Sequence, residues 1–506
     1  MAGASRPKYR FRSRRRMEPA AAQLPHDHCL SAARLVTLTT SIDWRPKMSY
    51  DSRICGDCIS DAFLKAEIAK SARDDEECSY CSKIKPTIEM NDLAERVDNV
   101  ISLFFESTTG DELPWANYEP TGNPLDEVVG ELLGAEEDVV NDVVELLSEG
   151  WFDRDSLEKK YGDDPHFVEN TRFEQPLSEA WRKMEHSLKT AARHIDPKAT
   201  VLLESVFGQV VEDRTYTEKP VIVEVGPGTE IEHLFRARVF QTEDALEKAL
   251  SHPERHIGPP PSEIAVAGRM NARGISVFYG ATDQQIAIAE VRPPVGSYAA
   301  MGKFQITRKL RLLDLYELNA VVVDPRMSMF DPSCASAMTR SQFLGTLAEK
   351  LVMPVMPELQ DRDYLITQVI ADFLATHPTL ELDGILFPSA QHALTKRNIP
   401  GRNVILFNKA SKVAYSDHDF GNTRANLWDV DDDGARFQPM IWTEQDTEPK
   451  PPRPPFLIPA DRIEPTLELD RESLEIFEIK AIQYGTFSHA VEHKVVSKRD
   501  DRKRKY

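Results

Sequence analysis

Apolar residues along the chain follow two different periods. In the first half they recur at three- and four-residue intervals. Leu93, Val97, Val100, Ile101 and Phe104 share one helical face, and Val139, Val140, Val143, Val144 and Leu147 share another that stops at Gly150. Residues 181–195 repeat the pattern, so a helical domain is expected over residues 90–212. After the apolar run 221–225 and the turn residues Gly226, Pro227 and Gly228, short strands alternate with helices. Ile275, Val277 and Tyr279 alternate as on a strand. Thr282 and Gln285 then have the spacing of a capping box for a short helix that carries Glu290 and ends at Pro293 and Pro294. Further strands are expected at 304–306, 310–315, 384–387 and 404–407, with a helix at 364–375. The result is an α+β domain over residues 230–415.

Length and composition add limits to this picture. A chain of 506 residues, at roughly 100–200 residues per domain, holds several folded units. Its apolar fraction of 41% and charged fraction of 28% are those of a soluble protein, and it has no run of about 18 apolar residues of the kind that spans a bilayer. No membrane partner is expected. The net charge of −20 weighs against nucleic acid as a partner, although one local basic patch would be compatible with it. Arg10, Arg12, Arg14, Arg15 and Arg16 lie near the start without a sustained apolar stretch after them, which is not a secretory pattern. Residues 1–47 are therefore expected to be disordered or an over-extended start, with Met48 beginning the natural chain, and the location to be cytoplasmic. Residues 440–460 contain the Pro-rich stretch EPKPPRPP and form a stiff linker, and 461–506 form a C-terminal segment with a basic tail.

Four of the six cysteines lie close together as two Cys-x-x-Cys pairs, Cys55 with Cys58 and Cys78 with Cys81, nineteen residues apart. Four thiolates at this spacing suit tetrahedral Zn²⁺, and a closed shell of four makes the metal structural. Residues 48–89 are expected to be a zinc module. Cys29 and Cys334 have no partner by spacing.

Glu290 admits two local readings. Ile286, Ala287, Ile288, Ala289 and Val291 surround it with apolar side chains, among which an unpaired carboxylate is costly. The alternative is a helix-end glutamate facing solvent or bridging to Arg292.

The ordered set FRARVF, GPPP, GRMNARGISVFYGATDQQIAIAEVRPP, LRLLDL, LDGILFPSA and NVILF, running from Phe235 to Phe407, resembles the RES domain. That family is named for an Arg, a Glu and a Ser. The resemblance implies an ADP-ribosyltransferase-like α+β fold and NAD⁺ as substrate, cleaved by a glycohydrolase or phosphorylase. Such domains are often toxins held by an antitoxin or regulatory protein. It implies Glu290 as the central carboxylate, Arg236 or Arg238 as the signature arginine, both on one strand face with Arg236 favoured, Tyr279 facing nicotinamide and Ser389 orienting the sugar. Arg269 is a further candidate for the phosphates, and inorganic phosphate is a candidate co-substrate beside water. The chemistry fits a carboxylate, which stabilises oxocarbenium charge as the ribosyl bond breaks, and a guanidinium, which clamps phosphate oxygens in a bidentate fork.

The helical part more loosely resembles the HEPN/RES N-terminal domain, which implies a sensor, inhibitor or oligomerisation module. Arg182 and His186, with three residues between them, depart from the spacing of HEPN ribonucleases. Two other readings stay open: ADP-ribosyl transfer to a macromolecule, and a non-catalytic zinc-containing nucleic-acid-binding or signalling protein.

Overall fold

The structure, a computed structural model, describes residues 45–46, 51–71, 75–108, 121–152, 159–161, 164–170, 173, 175–191, 196–353, 355–389, 401–414, 423–432, 434–443, 464–483 and 486–493. The chain divides into two compact units. One comprises Met1–Ser60, Glu67–Asp98 and Ser107–Val168, and the other Asp61–Ala66, Asn99–Glu106 and Glu169–Tyr506. No helix among the described residues is long and apolar enough to cross a membrane. Met48, the Pro-rich stretch and the basic tail lie outside the described residues. Of the first 47 residues the structure describes Arg45–Pro46, which pair antiparallel with Trp151–Phe152.

In the first unit, strands Arg53–Cys55 and Asp75–Glu77 flank Ile84–Glu89 in a three-stranded sheet. The sheet is tied to the helices after it. The Ser60 amide donates to the Leu133 carbonyl at 2.8 Å, and the Tyr80 hydroxyl donates to Asp142 at 2.5 Å. The three-stranded sheet and helix Glu137–Glu145 thus belong to one unit, which does not divide at residue 89. The helix Met90–Phe104, which counts to this unit as far as Asp98 and to the other from Asn99, has Leu93, Val97, Val100, Ile101 and Phe104 all buried, the face the sequence pattern predicts. Helix Glu137–Glu145 buries Val139, Val140 and Val143 and continues as a π-helical turn to Gly150.

The second unit is built on one eight-stranded sheet. Its strands, with those of a separate hairpin numbered in chain order, are β1 (Ile222–Val225), β2 (His233–Phe240), β3 (Phe278–Ala281), β4 (Tyr298–Ile306), β5 (Leu310–Asp314), β6 (Gly384–Pro388), β7 (Arg402–Leu406), the hairpin β8 (Thr423–Asp431) and β9 (Gly434–Thr443), and β10 (Leu467–Glu478). The order across the sheet is β10-β4-β2-β3-β7-β6-β5-β1, and among these neighbours only β5 and β6 run parallel.

Side chains alternate cleanly between two cores, as a strand period of two requires. Leu313, Ile385 and Ile405 face helices α1 (Gln175–Thr190), α2 (Pro197–Phe207), α5 (Pro332–Val352) and α6 (Gln360–Thr376). Leu312, Leu386, Val404 and Leu406 face the other way, towards Leu246 and Leu250 of α3 (Glu243–Ser251), Ile257 and Leu427. Both faces of the central strands are covered, so these read as unbroken apolar runs.

Several sequence expectations shift. Strand β3 begins at Phe278, and Ile275 and Val277 precede it in a loop. The helix carrying Glu290, α4 (Gln284–Glu290), is capped by Asp283, whose carboxylate accepts from the Gln285 amide at 2.8 Å. Thr282 is not part of a capping box. Its hydroxyl instead accepts from the Arg402 amide at 3.1 Å. The largest shift concerns α1 and α2, expected to close a separate domain ending at residue 212. Trp181, Met184, Leu188, Leu203 and Phe207 instead pack into the same core as the sheet.

Arg340 fixes that packing. Its Nε donates to the Val206 carbonyl at 2.8 Å, and its two amino groups grip Asp213 at 2.8 and 2.7 Å. Both side chains are nearly buried, so removing one partner strands the other's charge. Arg340→Ala is expected to cost about 3–5 kcal/mol in denaturant unfolding of this unit. A loss within experimental scatter would mean that α2 is not clamped to α5 as described.

Candidate active site

The sheet is nearly split in two between β2 and β3. Strand β2 pairs with β4 along its whole length, from His233 opposite Gln305 to Phe240 opposite Tyr298, yet its register with β3 is the single pair Phe235 and Ala281. Beyond that pair the strands part, and a cleft of about 480 Å³ opens. This lies within the roughly 300–1,000 Å³ usual for small-molecule sites. Its wall includes Arg236, Arg269, Tyr279, Glu290, Arg292, Gln360, Tyr364, Phe387 and Asn403.

Arg236 stands in the split. It shares strand parity with Leu234, which lies in the second core, and its guanidinium sits 5.3 Å over the Phe278 ring. Nε donates to the Ile257 carbonyl at 2.8 Å and Nη1 to the Tyr279 carbonyl at 2.6 Å, which leaves Nη2 without a protein acceptor among the described residues. Burial, helped by nearby Arg238, lowers its pKa to about 10, so it stays charged at neutral pH. Arg238 does lie on the same strand face, as period two implied. It donates to the His256 carbonyl at 2.7 Å and is not part of the wall.

Glu290 ends α4, whose Ile286 and Ala287 are buried while Glu290 itself is exposed in the cleft wall. Ala287 and Val291 line the same wall as Glu290, whereas Ile286 turns into the core behind α4. Its partner is neutral: Asn403 Nδ2 donates to Glu290 Oε1. Arg292 forms no ion pair with it. Instead Arg292 takes a left-handed backbone conformation, φ 44°, just past the helix end, where glycine is the usual residue.

Tyr279 presents its ring to the cleft while its hydroxyl is engaged. That hydroxyl donates to Asn271 Oδ1 at 2.8 Å and accepts from the Met270 amide at 3.1 Å. Burial pushes its pKa up to about 12. Gly268 is required beside it, since a Cβ there would lie 2.7 Å from the Tyr279 oxygen. Arg269 also lines the cleft, but its amino groups donate to the carbonyls of Leu351 and Met353 at 3.0 and 2.9 Å. It therefore caps the C-terminal end of α5. Ser389 is buried directly after the wall residue Pro388 and is not itself part of the wall.

The structure thus brings Arg236, Tyr279, Glu290 and Arg269 to one cleft and leaves Arg238 and Ser389 outside its wall. Asn403, Arg292, Gln360 and Tyr364 were not anticipated as site residues. For Asn403 a signal existed: a lone amide inside the apolar strand NVILF needs a reason to be there.

A family model for the RES domain matches residues 233–429. This part of the chain is a RES domain. The family is associated with NAD⁺-processing enzymes, and the match spans the split, α4 and the strand of Asn403. No curated protein and no solved structure matches the chain significantly. The sheet is wider than the matched RES segment, since β1 and β10 flank it on either side in sequence.

The four cysteines of the first unit also come together. Their sulfurs lie within 4.8 Å of one another, with Cys55 to Cys81 at 3.6 Å, Cys58 to Cys78 at 3.8 Å and Cys55 to Cys58 at 3.9 Å. Zn–S bonds of about 2.3 Å in a tetrahedron place sulfurs ~3.8 Å apart, so the residues fit the metal. Without metal, burial pushes the thiols of Cys55 and Cys58 up. Burial acts the same way on Cys78, but the backbone amides of Cys81, Tyr80 and Cys55 outweigh it and bring that thiol down to about 7.

Two outcomes are expected here. Purified protein should carry about one zinc ion per chain by elemental analysis, and Cys58→Ser should lose it to a chelator that leaves the wild type loaded, because three thiolates leave the fourth position of the shell open. Equal retention by variant and wild type would contradict the site. Arg236→Lys, whose donors all sit on one nitrogen and lack the planar fork that spans the two carbonyls, should lower thermal stability and any activity of the cleft together. A variant unchanged in both would remove Arg236 from its proposed place in the frame.

Proposed function

We propose that the RES domain breaks the bond between nicotinamide and ribose C1 of NAD⁺, passing the ADP-ribosyl group to water or inorganic phosphate. The observation that carries this reading is the pairing, in one cleft of dinucleotide-compatible size, of an oriented exposed carboxylate with an arginine fixed in the sheet split.

As the bond breaks, its electron pair leaves with nicotinamide and positive charge grows on the ribose. A carboxylate at Glu290 stabilises that charge and accepts a ribose hydroxyl hydrogen bond. Water then adds through oxygen to C1 and loses one proton to solvent, whereas a phosphate oxyanion forms the C–O bond with one of its negative charges cancelling that of the ribosyl cation. Arg236 Nη2 and Arg292 supply cationic donors for the diphosphate, and the faces of Tyr279 and Tyr364 offer flat surfaces for the nicotinamide ring. Ser389, at the end of β6, would meet the sugar only as the substrate reaches past Pro388. In this reading NAD⁺ depletion makes the protein a toxin or defence effector, with an antitoxin or regulatory protein as its partner and zinc holding the first unit in shape. The helical region then serves as a sensor, inhibitor or oligomerisation module.

The test is NAD⁺ consumption by the full chain, with and without phosphate, followed by product analysis. Free ADP-ribose marks water as acceptor, a phosphorylated ADP-ribose marks phosphate, and a labelled macromolecule marks transfer. Glu290→Ala should lose at least about 100-fold in kcat. NAD⁺ left intact by the wild type, or cleaved equally well by Glu290→Ala, would sink the proposal.

A further inference from the structure

We infer that Asn403 is a positioning residue for Glu290, retained in the sheet to hold the carboxylate at a cost to the stability of the fold. The inference rests on the reading of Glu290 given above.

Asn403 lies in the middle of the sheet on β7, opposite Ala281 of β3 and Phe387 of β6. It is only 2% exposed, and the next three residues, Val404, Ile405 and Leu406, are fully buried aliphatics. The amide has a single side-chain hydrogen bond, from Nδ2 to Glu290 Oε1. Its Oδ1 is buried and has no hydrogen-bond partner among the described residues. The amide cannot be turned to relieve this, because an ionised carboxylate accepts only from the amino end. A side chain selected for packing at this position would be aliphatic, since a buried carbonyl without a partner opposes folding. What Asn403 provides is a donor to Glu290 from a rigid strand.

The surroundings are built to the same end. Arg402, the preceding residue, is ion-paired at 2.5 Å with fully buried Asp314. Its carbonyl accepts from the Thr282 amide at 2.9 Å, so α4 is joined to β7 before its first turn and again at its last residue. Gly401 allows the contact: a Cβ there would fall 1.7 Å from Ile286 Cδ1. A short helix with an exposed terminal glutamate is otherwise free to sample rotamers, and catalysis by a fixed charge depends on suppressing that freedom.

The experiment compares wild type, Asn403→Leu, Glu290→Gln and the double variant in NAD⁺ turnover and thermal unfolding. Asn403→Leu should lose about tenfold or more in kcat with KM within about threefold, and melt at or above wild type. In the Glu290→Gln background the same change should alter kcat by less than about twofold, because its effect passes through the carboxylate. Asn403→Val, a smaller replacement, carries the same comparison should the leucine variant not fold. An unchanged kcat, an equal loss in both backgrounds, or a clear drop in melting temperature overturns the inference while an active wild type upholds the reading of the site. A wild type that leaves NAD⁺ untouched overturns both.

Discussion

The second unit depends on a ladder that stops. Had β2 continued to pair with β3 beyond Phe235 and Ala281, the sheet would have closed and no cleft would exist. An interrupted ladder leaves main-chain carbonyls inside the protein that must find donors elsewhere. Arg236 meets that need: it donates to the Tyr279 carbonyl on one side of the split and to the Ile257 carbonyl beyond it. The same residue therefore permits the opening and charges it. The position of α4 over the gap, and with it the placement of Glu290, follows from that opening.

The positions of the central strands along the chain were accessible from the residues because these strands are buried on both sides and bounded by glycine and proline. The runs at 310–315, 384–387 and 404–407 correspond to β5, β6 and β7 within two residues at each end. Where alternation looked clearest, at Ile275, Val277 and Tyr279, the strand begins only at Phe278. The preceding loop is held by side chains, with Asn271 donating to three carbonyls around it, and local pattern does not register such bonds. Capping was misjudged for a similar reason. Thr282 and Asp283 are both competent caps, and tertiary pairing of Thr282 with Arg402 left the cap to Asp283.

The cleft was half legible. Glu290, Arg236, Tyr279 and Arg269 could be named, but sequence could not reveal that Arg269 spends its amino groups on α5, or that Arg236 and Arg238 share a face yet differ in access to the cleft. Division of the chain was less legible still. Helices α1 and α2 have the period of any amphipathic helix, and period identifies the buried face without saying which partner buries it. Their apolar side chains pack into the core on one face of the sheet, and the bidentate grip of Arg340 on Asp213 ties the end of α2 to α5 across a long stretch of sequence.

One consequence follows from how the arginines of the cleft are anchored. Arg236 and Arg269 are braced against main-chain carbonyls and cannot swing to meet a ligand. Their charge is thus part of the scaffold, a standing field set when the chain folds. A polyanionic guest entering such a field meets donors whose reorganisation was completed in advance, and little ordering of these side chains is left to be done on association. Discrimination among anions then falls to shape: a ligand must bring its charges to where the frame already holds the donors, because the frame does not come to it.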